Sequence, residues 1–208
     1  MKLIVITPSN TIENEYPILS KMLDMGLPSL YIRKPQLSKQ ELKDYLNEFT
    51  KDQRKKIIIS KYYSLLINLD LKGIQISKRE RKKKLKFLFF KVLLRLIKKN
   101  CTIGTSCESL SSLNEVSGKF NYVTISPVFR GTNGQLLGFN TGALMKMLPA
   151  YPDKVIARGG TTIDNIDKVK QIGFAGIAFH EYIWDDPEPL AAFQKILNTF
   201  REQGLTVE

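Results

Sequence analysis

Eight short β-rich runs alternating with longer stretches of helical periodicity predict an α/β chain, a (β/α)8 barrel in one domain over residues 1–208. Two further observations support closure. No Pro- or Gly-rich linker divides the 208 residues, and a closed ring is the simplest way for so short a chain to bury eight parallel strands. A doubly wound open sheet is the competing architecture. Against it, no G-x-G-x-x-G follows the first strand.

The elements follow in order. "KLIVIT" (2–7) and "SLYIRK" (29–34) are the first two strands. "LSKQELKDYLNEFTKD" then shows apolar residues at helical intervals behind a capping box, Ser38 to Glu41. "KKIIIS" (55–60), "GIQIS" (73–77), "TIGTS" (102–106) and "YVTISPV" (122–128) read as strands three to six. "KVIARG" (154–159) is the seventh, and the helix "TIDNIDKVKQIG" after it ends on Gly173, a C-cap. "GIAFHEY" (176–182) is the eighth, and the closing helix "DPEPLAAFQKILNTFREQG" has Pro187 near its start and Gly204 at its end.

Composition narrows the class. With 43% hydrophobic and 25% charged residues the balance is that of an ordinary globular domain. No apolar run is long enough to span a bilayer, and "MKLIVITPSN" reads as a strand rather than a signal peptide, so a cytoplasmic protein is expected. Cys101 and Cys107 suggest neither a disulfide framework nor a structural zinc site. The net charge of +12 comes mostly from residues 78–99, "KRERKKKLKFLFFKVLLRLIKK". Lys86, Lys91, Arg95 and Lys98 recur near helical period, so a solvated helix covering the sheet is favoured over an anionic membrane surface. No aromatic-rich single-strand platform accompanies the block, which counts against nucleic acid. A homodimer is left open.

In such a barrel the chemistry gathers at the carboxyl ends of the strands, where the βα loops open on one face. Those ends carry Arg33-Lys34, Ser60-Lys61, Gln75 to Glu80, Ser106-Cys107-Glu108, Ser126 to Gly134, Gly159-Gly160 and His180-Glu181-Tyr182. Gly159 and Gly160 stand where strand seven meets its helix, a loop that often holds a phosphate; backbone amides without a Cβ can approach its oxygens. A tight turn alone is the other reason for two glycines. Arg33 and Lys34 mark either a polar pocket mouth or a surface ion pair. Cys107 reads as packing. His180, the one histidine of the chain, is either structural or catalytic.

These residues resemble the thiamine phosphate synthase and TenI-like superfamily over nearly the whole chain. The similarity rests on "YIRKPQLS", "IGTSCESLSSL", "YVTISPVF" and "ARGGTTIDNIDKVKQIGFAGIAF". The family shows a Q-L-R-E-K-like run, G-V-S-x-H, G-P-I/V-F and A-x-G-G-I-x-x-x-N at these places. The resemblance implies a cytoplasmic enzyme of thiamine biosynthesis. Its substrates would be a phosphorylated thiazole, seated at Gly159-Gly160, and an aminopyrimidine diphosphate that leaves pyrophosphate with Mg2+ assisting. It also implies Ser106 near the pyrimidine. A TenI-like thiazole tautomerase, or a barrel that only binds a phosphorylated ligand, is the alternative.

The sequence departs from the family at the chemistry. Lys61 stands where the synthases carry a magnesium aspartate, and an ammonium repels a cation. Glu80 falls at the second metal carboxylate, among Lys78, Arg79 and Arg81. The synthases' pyrophosphate grip aligns with Gly131-Thr132-Asn133-Gly134, which lacks its lysine. Lys61, Arg130 and Asn133 are then the expected contacts to anionic oxygens, and Lys61 and Arg130 the substitutes for a metal. The tautomerases' histidine falls on Glu108, which would shuttle a proton if burial raised its pKa.

Overall fold

The computed structural model describes residues 1–82, 92, 94, 98, 100–130, 135–136 and 139–208. Its barrel strands are β1 (Lys2–Ile6), β2 (Leu30–Ile32), β3 (Ile57–Ile59), β4 (Gly73–Ile76), β5 (Thr102–Cys107), β6 (Tyr122–Ile125), β9 (Val155–Arg158) and β10 (Gly176–Phe179). Between β6 and β9 lies an antiparallel pair, β7 (Phe129–Arg130) and β8 (Gln135–Leu136). The eight barrel strands pair in the closed order β1-β10-β9-β6-β5-β4-β3-β2, every neighbour parallel. The expected (β/α)8 barrel is thus the observed fold, and the open sheet is excluded.

Alternation along each strand sorts side chains into two cores. Leu3, Val5, Leu30, Ile32, Ile57, Ile59, Val155 and Ala157 point outward into the cluster that meets the helices. Ile4, Ile6, Tyr31, Ile58, Tyr122, Ile156 and Ala178 fill the barrel interior. Gly104 makes this filling work, because a β-carbon there would lie 2.1 Å from Tyr122 Cζ and 2.5 Å from Gln75 Oε1. The missing side chain of β5 is the space the tyrosine ring occupies.

The helices are α1 (Glu15–Asp24), α2 (Lys39–Asn47), α3 (Lys51–Arg54), α4 (Ser64–Asn68), α5 (Lys78–Arg81), α6 (Leu110–Val116), α7 (Thr141–Met147), α8 (Ile166–Ile172), α9 (Glu181–Trp184) and α10 (Pro189–Glu202). The capping box of α2 forms as the sequence predicts: Glu41 N–H donates to Ser38 Oγ at 3.3 Å and Ser38 N–H to Glu41 Oε2 at 2.7 Å. Gly173 caps α8 in the left-handed region at φ 98°.

Several boundaries differ from the sequence reading, three of them by more than trimmed ends. The sixth strand stops at Ile125, because Pro127 has no N–H for the ladder; the chain instead turns so that Val128 N–H and Phe129 N–H donate to the carbonyls of Arg158 and Gly159. The eighth strand stops at Phe179, and residues 181–184 wind into α9, with Ile183 N–H and Trp184 N–H donating to His180 O. Helix α10 begins at Pro189 rather than at Pro187. Of the basic stretch, Lys78–Arg81 form α5, Leu94 is buried and Lys98 is 2.5 Å from Asp70 Oδ1. Lys86, Lys91 and Arg95 lie outside the described residues. Among the described residues no helix is long and apolar enough to cross a membrane.

Candidate functional site

The alternation that fills the barrel also builds its mouth. Two residues beyond Tyr31, Ile156 and Ala178, at the carboxyl ends of β2, β9 and β10, stand Arg33, Arg158 and His180, all facing the same way. They line a cavity of about 560 Å³ together with Gly159, Gly160, Thr161 and Glu181. Ser126, Pro127 and Phe129 form its other wall.

The glycine pair meets two demands. Gly159 and Gly160 both have positive φ, 84° and 63°, a region costly for residues with a Cβ. A β-carbon on Gly159 would also lie 2.9 Å from Pro127 Cα and Cβ, so its close approach is to the chain's own β6 loop. The turn is then pinned from both sides. Thr161 Oγ1 donates to Ala178 O at 2.7 Å, Asn165 Nδ2 to Gly160 O at 3.3 Å, and Thr162 N–H to Asn165 Oδ1 at 3.1 Å. A tight turn and a rim for a ligand are the same object here.

Charge in the cavity is mostly positive. Burial, then the Arg33 guanidinium, lowers Arg158 from its ordinary value, while Tyr31 and Glu181 act the other way. Burial likewise lowers His180, reinforced by Arg158 and Arg33 and opposed by Glu181. The imidazole is neutral near pH 7, and among the described residues its buried Nε2 has no hydrogen-bond partner. Deeper in the barrel, burial raises Tyr31, whose hydroxyl bonds Ser60, and raises Tyr122. Gln75 Oε1 beside Tyr122 is a second buried polar atom without a partner among the described residues. Among the described residues the cavity wall thus carries one unsatisfied polar residue, His180, as well as charge.

The structure brings together Arg33, Gly159, Gly160 and His180, and places Lys34, Lys61, Glu80, Ser106 and Glu108 elsewhere. Lys34 points away from the cavity: its Nζ is 2.6 Å from Glu15 Oε2 of α1 and 2.8 Å from Asn10 O, and both charged side chains are buried. Next to Arg33 on an extended chain, it faces the opposite side of the strand. The Lys61 ammonium donates to the carbonyls of Pro35 (2.7 Å) and Leu37, and so ties down the loop before α2. Ser106 stands beside α5, its carbonyl accepting from Arg81 Nη2 at 3.1 Å, outside the cavity lining. Glu108 is 75% exposed and lies 3.6 Å from Lys78 Nζ, so the burial that proton shuttling asks of it is absent. Arg130 closes β7, and its side chain and Asn133 lie outside the described residues.

The expected magnesium site can be tested on its donors. Magnesium asks for near-octahedral oxygen ligation. Glu80 Oε2 instead accepts from Ser77 N–H at 3.3 Å, from Ser77 Oγ at 3.1 Å and from the Tyr63 hydroxyl. Lys61, which the resemblance puts at the other ligand position, donates instead to the carbonyls of Pro35 and Leu37. Among the described residues no three His, Cys, Asp or Glu gather as a metal cluster. The side chains present do not fit the ion.

Sequence reasoning passed over Arg158, Ser126, Thr161 and Glu181 as site residues. Arg158 was legible: Ile156 faces inward, so the residue two further on must do so as well. Ser126 and Glu181 fell in the strand-end runs without being singled out, and Thr161 carries no local signal of its own, since only the meeting of loops makes it a neighbour of the others.

Comparison with known proteins agrees with this architecture. The thiamine phosphate pyrophosphorylase of Bacteroides thetaiotaomicron superposes with a TM-score of 0.78 over 98% of both chains, at 21% identity. That of Pyrococcus furiosus gives 0.73 over 97% of this chain and 96% of the other, also at 21% identity. These likenesses establish a shared barrel. A thiamine-phosphate synthase of Prochlorococcus marinus is 30% identical over 104 residues, 48% of this chain and 30% of that protein. The match thus spans less than a third of the curated relative's length. The family model described as thiamine monophosphate synthase matches residues 3–183, nearly the whole barrel, and the chain belongs to that family.

Proposed function

We propose that the cavity binds a phosphorylated thiazole and couples it to an aminopyrimidine delivered as its diphosphate, forming thiamine phosphate and releasing pyrophosphate. The observation that carries this reading is the convergence of Arg33, Arg158 and the Gly159-Gly160 turn on one cavity, in a chain of this family. The thiazole nitrogen supplies the electron pair of the new C–N bond to the pyrimidine methylene. The methylene C–O bond breaks, and its pair leaves on the pyrophosphate oxygen. Negative charge grows on that leaving group, and planar guanidiniums suit its oxygens because they offer paired N–H donors that keep their charge at any working pH. The glycine turn seats the thiazole phosphate.

A TenI-like tautomerase is the second reading, and one observation favours it: the neutral His180 imidazole with its unpartnered Nε2 in the cavity wall. Glu108, facing solvent, is not its base. The two readings separate in one assay. Purified protein is supplied with both synthase substrates and, separately, with the thiazole carboxylate tautomer, and products are resolved by mass spectrometry. Thiamine phosphate is expected, and Arg158→Gln should slow its formation by roughly 10²-fold or more, the scale of losing one preorganised charge-stabilising donor. Isomerisation abolished by His180→Asn, without thiamine phosphate, selects the second reading. A folded sample that binds neither substrate rejects both.

A further inference from the structure

We infer that this cavity takes its phosphorylated ligand without a divalent cation, the paired guanidiniums of Arg33 and Arg158 supplying the positive charge. The inference rests on the reading of the cavity as an anion site.

Three observations carry it. First, both arginines line the same cavity as the glycine turn, and Arg158 feels the charge of Arg33 from there. Two like charges held in one half-enclosed space repel each other unless an anion lies between them. Secondly, among the described residues of the lining two guanidiniums stand against the single carboxylate of Glu181, with His180 neutral. The lining is therefore net positive, which attracts a dianionic phosphate and repels a bare dication. Thirdly, Glu80 Oε2, a carboxylate oxygen a metal would need, is already engaged. Glu80 is held by the Ser77 cap and the Tyr63 hydroxyl, and Lys61 is bonded to two carbonyls of a neighbouring loop. The first two observations place a cationic pair where the anion goes. The third removes the residues that would bring a metal to it.

Guanidinium pairs and magnesium solve the same problem differently. Magnesium bridges phosphate oxygens but brings a tightly held water shell and demands oxygen donors from the protein. Arginine meets the oxygens through N–H forks fixed by the fold. In this chain the forks are positioned by register alone, since Arg33 and Arg158 are the inward residues that follow Tyr31 and Ile156.

The test is calorimetric titration of inorganic pyrophosphate into the full chain, once in EDTA and once in excess magnesium. Binding in EDTA that magnesium leaves unchanged or weakens, by competing for the ligand, is the expected result. Arg33→Gln and Arg158→Gln should each weaken it by roughly tenfold or more, as lost charge-assisted hydrogen bonds do, while Arg158→Lys retains part of the affinity. Circular dichroism establishes that the variants are folded. Tightening by magnesium of roughly tenfold or more would overturn the inference, and so would failure to bind in both buffers or indifference to the arginine variants. Manganese titrated into the protein alone, followed by the paramagnetic signal of the free ion, gives an independent readout; saturable uptake also overturns it. Thiamine phosphate separates this inference from the functional reading. Metal-free pyrophosphate binding that thiamine phosphate does not displace refutes the thiamine assignment and leaves the inference standing. Thiamine phosphate that binds only with magnesium does the reverse.

Discussion

Replacing Gly159 by alanine tests the structure where turn and cavity meet. At φ 84° the residue occupies a region where a β-carbon costs about 1–2 kcal/mol. The added methyl would also stand 2.9 Å from Pro127 Cα and Cβ and 3.2 Å from Ser126 Oγ. Relief there means moving backbone, because Pro127 is anchored through its neighbours: Val128 N–H and Phe129 N–H donate to the carbonyls of Arg158 and Gly159 at 2.9 and 3.1 Å. Overpacking of that kind adds about 1–3 kcal/mol. The sum is roughly 2–5 kcal/mol, which at about 2–4 °C per kcal/mol for a domain of this size lowers the melting temperature by about 10 °C. Gly160→Ala, at φ 63° close to the ideal left-handed helix value, carries at least the conformational term, about 1–2 kcal/mol. Thermal melts followed by circular dichroism, with urea midpoints beside them, give both numbers. An unshifted Gly159→Ala melt would refute the close-approach argument.

Other outcomes follow from the same contacts. Lys34→Met leaves Glu15 buried without its ammonium and should cost about 3–5 kcal/mol, while adding Glu15→Leu recovers much of the loss; urea denaturation of the three variants checks this, and a harmless single variant would return Lys34 to the ligand contacts. Burial holds His180 below its ordinary value of 6.5, so the unfolded chain binds the proton more readily. Its contribution is present above pH 6.5 and lost as pH falls through the window below it; urea midpoints across that window should slope less in His180→Asn, and an unchanged slope speaks against it. Burial pushes the Cys101 and Cys107 thiols up to about 11, so Ellman's reagent at about pH 8 should label both slowly until the protein is denatured; rapid labelling of Cys107 in the native chain would contradict the packing assigned to it.

Much of the barrel was legible from residue order, and the reasons are local. Runs such as Ile57–Ile59 are β-branched and apolar on both sides, which only a strand buried on both faces tolerates. The Ser38–Glu41 box and Gly173 marked helix ends because caps are satisfied within four residues. The end of strand six and the start of α9 were less legible, since a ladder stops where its neighbours stop. In the site, the strand-end rule pointed to Arg33, Gly159, Gly160 and His180, which line one cavity. It overreached at Lys34, Lys61 and Glu108, where the right loops hold side chains that serve α1, the loop before α2 and the surface.

Period-two alternation and the order of eight strand–helix units reside in the chain itself, because steric pleating and the short reach of βα connections allow little else. That much decided a closed parallel ring with its open loops on one face. Which of two adjacent cations faces the cavity was settled only when Glu15, 19 residues before Lys34, came within 2.6 Å of it and took its charge out of play. Charges choose partners by distance in space, and distance in space is what the folded barrel creates.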